Sequence, residues 1–147
     1  MRPKKVILLA ALNAEDASVM KFMLETNGYR VIVAPGPREA WAAVAAARGL
    51  APGRRVDLVI VDLASAAGAV SGARLGCRLR GAQDRPKLLA LGSAADFGDV
   101  DWADRCLRRE GGTAAELLDC VKLLCVSKRG PRRQRESGAA VAAGVAA

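Results

Sequence analysis

Residues Val56 to Leu63, Val-Asp-Leu-Val-Ile-Val-Asp-Leu, constrain the fold more than any other stretch of this chain. The run is too short for an isolated helix and rich in β-branched side chains, the pattern of a strand buried on both faces. Such a strand lies inside a sheet covered by helices, and in these sheets chemistry gathers beyond the carboxyl ends of the strands. Asp62 stands at that end.

The rest of the chain supplies the neighbours this strand needs. Lys5 to Ala11 is a first apolar run of strand length, followed by Asn13 as a helix cap with Asp16 three residues on. From Ala14 to Asn27 the apolar positions Val19, Met20, Met23 and Leu24 recur at helical spacing, and Gly28 supplies the left-handed residue that ends helices. Arg30 to Ala34 reads as a second strand. Pro37 opens a helix to about Ala47 whose core face is marked by Trp41 and Val44. Its alanines either let it pack close to the sheet or reflect compositional bias.

After Asp62, Ala64 to Gly72 reads as a small-residue loop leading to a helix through Leu75, Cys77 and Leu79. Lys87 to Leu91 is a fourth strand, and the acidic segment Asp96 to Asp104 is at best weakly helical, with Gly98 inside it. Cys106 to Arg108 is a brief fifth strand, and Thr113-Ala-Ala-Glu116 is a capping box opening a helix with Leu117, Val121 and Leu124 on one face. Five β/α units joined by crossovers predict an α/β fold: a flavodoxin-like, doubly wound, five-stranded parallel sheet of order 2-1-3-4-5 with helices on both faces.

With 147 residues, 52% of them hydrophobic, the chain suits one domain, expected over residues 1–126. Residues 127–147 read as a disordered tail, basic and then Ala/Gly-rich. Lys128, Arg129, Arg132, Arg133 and Arg135 face only Glu136 there, so half of the formal +8 charge belongs to the tail. Cys77, Cys106, Cys120 and Cys125 lack Cys-x-x-Cys spacing, and the chain has no histidine. They read as reduced core thiols of a cytoplasmic protein rather than a zinc site. Arg2, Lys4 and Lys5 before Val6 to Ala11 imitate a signal peptide, but the apolar core is short and reads as a strand the fold needs. No apolar run has membrane-spanning length.

On these segments the sequence resembles the receiver domain of two-component response regulators, from about Lys5 to Cys125. The resemblance rests on Lys-Val-Ile-Leu-Leu, Gly-Tyr-Arg-Val-Ile-Val-Ala, Val-Asp-Leu-Val-Ile-Val-Asp-Leu and Arg-Pro-Lys-Leu-Leu-Ala-Leu. It implies that Asp62 occupies the phosphoacceptor position, charged in the family by a histidine kinase. The family's chemistry also needs Mg²⁺ and a lysine to neutralise the phosphoryl group. The matching positions depart from that pattern. Ala10 and Ala11 stand where two acids normally help hold the metal, Gly92 replaces the switch hydroxyl with Ser93 one place on, and Arg109 replaces the lysine, followed by Glu110.

The resemblance therefore implies a degenerate receiver, or pseudo-receiver: a signalling module and no enzyme, without a cofactor, acting by phosphorylation-independent contact with a protein partner such as a histidine kinase or another regulator. The family commonly signals through its fourth helix, fifth strand and fifth helix, which here brings Phe97, Asp101 and Trp102 forward as a partner surface. A solvated loop with two anchoring aromatics is the alternative for that segment. For the whole chain the alternative is a phosphorylatable, Mg²⁺-dependent single-domain regulator using Asp62. Nucleic acid enters only through the basic tail, which has no aromatic residue to stack on bases. Without a Gly-x-Gly-x-x-Gly, a phosphate-binding loop or a histidine, a nucleotide or small-molecule enzyme is disfavoured.

Overall fold

The structure, a computed structural model, describes residues 4–10, 14–47, 49–50, 54–63, 66–82, 85–98, 100–108 and 114–126. Strands β1 (Val6–Ala10), β2 (Arg30–Ala34), β3 (Leu58–Asp62), β4 (Lys87–Gly92) and β5 (Arg105–Arg108) form one sheet in the order β2-β1-β3-β4-β5. Every pairing is parallel. Helices α1 (Ala14–Thr26) and α4 (Ala114–Val126) cover one face, and α2 (Pro37–Ala47) and α3 (Ala66–Arg80) the other. The flavodoxin-like topology expected from the strand and helix periods is the observed one.

Alternation explains how one sheet serves two cores. Leu8, Val59 and Leu88 point toward α2 and α3, whereas Leu9, Ile60 and Leu89 point toward α1 and α4. All five residues of β1 and all five of β3 are buried, so the two central strands read as continuous apolar runs. Each fully buried Leu, Ile or Val contributes about 1.5–3 kcal/mol. At the end of α1, Gly28 takes φ 93°, the left-handed turn its position demanded.

Three local expectations need correction. Helix α3 begins by Ala66 rather than after Gly72: alanine favours helix, and Gly72 is a contact point, since a Cβ there would lie 2.5 Å from the Leu63 side chain. On α1 the core face is Ala17, Met20, Met23 and Leu24, while Val19 is 69% exposed. Only Cys120 and Cys125 are core thiols, because Cys77 and Cys106 are exposed. The Asn13 cap, the Thr113 cap and the tail from 127 lie outside the described residues.

The fourth crossover departs most from a doubly wound plan. Among the described residues between β4 and β5 there is no α-helix, only a 3₁₀ turn at Ala94–Phe97 and irregular chain. Trp102, with Phe97, Val100 and Ala103 partly buried beside it, fills the core position a helix would cover. Trp102 is 2% exposed and lies against α3 at Gly76, where a Cβ would come 2.2 Å from the indole. Arg80 Nη1 donates to the Trp102 carbonyl at 3.1 Å, while the indole Nε1 is buried with no hydrogen-bond partner among the described residues.

Candidate functional site

Asp62 ends β3 and is 5% exposed, the one buried charged residue among those described. Parallel register fixes its surroundings. Ala10 ends β1 beside Val61, Leu91 of β4 lies beside Asp62, and Gly92 ends β4 beside Arg108. The Leu63 N–H donates to the Leu91 carbonyl at 2.7 Å, which locks the backbone just past the acid. Ser93, one residue beyond β4, is half-buried. Of the positions singled out from the sequence, Ala10, Asp62 and Gly92 converge at the carboxyl ends of adjacent strands, whereas Ala11 and Arg109 lie outside the described residues.

The Phe97, Asp101 and Trp102 grouping does not form a surface. Trp102 belongs to the core shared with α2 and α3, and Phe97 is half-buried against that core, which leaves only Asp101 exposed. The physical reason is the irregular crossover: with no α-helix among the described residues there, its largest apolar side chain turns inward onto the core of Leu88 and Ala90, beside Phe97, Val100 and Ala103.

The opposite end of the sheet uses Asp57, to which the sequence reading gave no role, and Asp104, which it placed with the acidic partner-surface segment. Asp57, just before β3, accepts the Val6 N–H at 2.9 Å, and its own N–H donates to the Val6 carbonyl at 2.8 Å. Asp104, just before β5, accepts two hydrogen bonds from Arg85 at 2.9 and 3.0 Å and the Leu88 N–H at 2.8 Å. Burial pushes the Asp104 carboxyl up, but the hydrogen bonds and charge of Arg85, with the Leu88 N–H, outweigh it and hold the pKa below the ordinary carboxylate value. Both acids tie strand starts together. Nineteen residues separate Arg85 from Asp104, and no local spacing reveals such a pair.

No protein-family model and no curated protein matches the sequence. Solved structures do match. The signal receiver domain of a signal transduction histidine kinase from Syntrophus aciditrophicus aligns at TM-score 0.70 and 23% identity over 90% of this chain and 98% of its own. A response regulator receiver domain protein from Clostridium thermocellum aligns at TM-score 0.70 and 19% identity, over 83% and 94%. The response regulator TrrA from Thermotoga maritima, solved in complex with Mg²⁺–BeF, aligns at 0.65 and 20%, over 82% and 98%. The fold is that of a receiver domain.

A receiver's phosphoryl chemistry runs through Mg²⁺, which takes hard oxygen ligands in near-octahedral geometry. At the strand ends of this receiver fold Asp62 offers one carboxylate, Ala10 a methyl group and Gly92 no side chain. Among the described residues no three Asp, Glu, Cys or His side chains converge. Glu15 and Asp16 occupy the first turn of α1, where acids complement the positive end of a helix. Among the described residues, these strand ends thus offer such an ion one carboxylate.

Proposed function

We propose that the chain is a phosphorylation-independent receiver module, a pseudo-receiver that signals by contact with a protein partner in the cytoplasm and catalyses no reaction. The observation that carries this reading is the methyl group of Ala10 at the end of β1, in the strand adjacent to Asp62 and buried completely. With a methyl group there in place of an oxygen donor, the counter-ion of a transferred phosphoryl group loses one ligand. What the scaffold retains is a rigid sheet that presents surfaces. The partner class is a histidine kinase or another regulator.

A phosphorylatable regulator is the second reading, favoured by retention of a carboxylate at Asp62 itself. Intact mass spectrometry after incubation with a small phosphodonor and Mg²⁺, beside Asp62→Asn, separates the two. The expected result is no phosphate-sized mass gain in the folded parent. A gain in the parent that vanishes in Asp62→Asn overturns the pseudo-receiver reading.

A further inference from the structure

The two helical faces of the sheet carry opposite charge. On α2 and α3, Arg38, Arg74, Arg78 and Arg80 are exposed against Glu39 alone, and the described part of α3 contains no acid. Arg74 and Arg78 are four residues apart on one helix, a like-charge pair that costs the isolated helix stability. Arg78 lies 4.0 Å from the Trp41 ring centroid, which joins α3 to α2, and Arg38 sits one turn before Trp41 on α2. Between them the surface is low, because the exposed positions Ala42, Ala45 and Ala46 carry only methyl groups.

On the other side, α1 carries Glu15, Asp16 and Glu25 against Lys21, and α4 carries Glu116 and Asp119 against Lys122. The four most exposed large apolar side chains among the described residues lie on these same two helices: Val19 and Phe22 of α1, and Leu123 and Val126 of α4. Phe22 is 73% exposed. The exposed positions described on α2 and α3 are thus mainly arginine and alanine, and those on α1 and α4 mainly acids and protruding apolar groups, with Arg105 of β5 beside Cys120 of α4. We infer that copies of this chain associate head to tail, the α2–α3 face of one copy seating on the α1–α4 face of the next.

A symmetric contact answers neither feature. Pairing α1–α4 with itself covers Phe22 but opposes two acidic surfaces, and pairing α2–α3 with itself opposes two rows of arginine. The heterologous contact places arginines on acids and Phe22 on a flat alanine surface. Because the two faces lie on opposite sides of one sheet, the contact repeats, and the product is an open series rather than a closed dimer. Asp62 takes no part, so Asp62→Asn associates like the parent, and a failure of this inference leaves the pseudo-receiver reading standing.

Sedimentation velocity of the full chain over a concentration series tests it. The mean mass is expected to rise progressively with concentration at low salt, with the association weakened about tenfold near 0.5 M salt, where exposed charges are screened beyond a few ångströms. The paired variants R74E/R78E and E15K/E25K change exposed positions, and circular dichroism verifies that each is folded. Each alone is expected to remain monomeric, and an equimolar mixture to associate again, because each face of one variant then meets a face of opposite sign on the other. Phe22→Ala is expected to weaken the parent's association about tenfold. A parent monomeric at every concentration, an R74E/R78E variant that associates like the parent, or a mixture that stays monomeric overturns the proposal.

Discussion

The two ends of this sheet treat their acids differently. At the amino ends of the strands, Asp57 and Asp104 spend their oxygens on backbone N–H groups and, for Asp104, on Arg85. At the carboxyl ends Asp62 is buried among strand ends contributed by Ala10, Leu91 and Gly92, which add no charge. The first end is organised to hold β1, β3, β4 and β5 in register. The second brings one carboxylate, Asp62, to the carboxyl edge of the sheet, where ligands of such folds bind. A scaffold and the chemistry built on it are separable.

The contrast breaks most readily at the element that supports the weakest part of the scaffold. Trp102→Ala is expected to cost about 3–5 kcal/mol in urea unfolding, as a large buried aromatic lost without refilling. Trp102→Phe is expected to cost far less, since it also removes the buried, unpartnered Nε1. Gly76→Ala gains helix propensity but forces the indole aside, and a net loss of about 1–2 kcal/mol is expected.

Next in size is the amino-end latch. Asp104→Asn is expected to cost about 1–3 kcal/mol at neutral pH, because Arg85 loses its charge partner while both are largely enclosed. The pH dependence has a definite sign. Asp104 has a lowered folded pKa, so its contribution is present above the unfolded value near ~3.9 and is lost as pH falls through the folded one. Thermal unfolding of the parent should fall more steeply below that pH than that of Asp104→Asn. Parallel curves would show that the latch carries no net stability.

The smallest effect is kinetic. Burial, followed by the charge of Asp57, pushes the Cys125 thiol up to about 11, while Cys77 is exposed on α3. Alkylation at pH 8 followed by peptide mapping is expected to modify Cys77 first and Cys125 last. Early modification of Cys125 would mean that α4 separates readily from the strand starts.

Much of the scaffold was legible because hydrophobic period and punctuation are local. The continuous run at Val59, Ile60 and Val61 announced a strand covered on both faces, and Pro37 and Gly28 marked helix boundaries where the structure has them. The meeting of Ala10, Asp62 and Gly92 at adjacent strand ends was legible through position along strands whose order could be inferred. Val19 was misplaced because α1 has apolar residues on its outer face as well as its inner one, which blurs the period. Trp102 was misplaced for a different reason: whether an aromatic in an irregular segment turns in or out depends on a vacancy created elsewhere, here opposite Gly76. The glycines at 72 and 76, one turn apart on α3, were the available sign that something packs closely there.

Covering this part of the sheet with irregular chain, in which Trp102 is the fully buried side chain among the described residues, concentrates responsibility. A helix spreads its grip over several turns and lets go in stages, whereas a single plug is seated or not. β5 is an edge strand with three of its four residues exposed, and its connection to β4 runs through the segment that carries Trp102. The β5 amides are therefore expected to exchange with solvent deuterium as one cooperative unit, opening together whenever the plug leaves Gly76, while the amides of β1 and β3 remain closed.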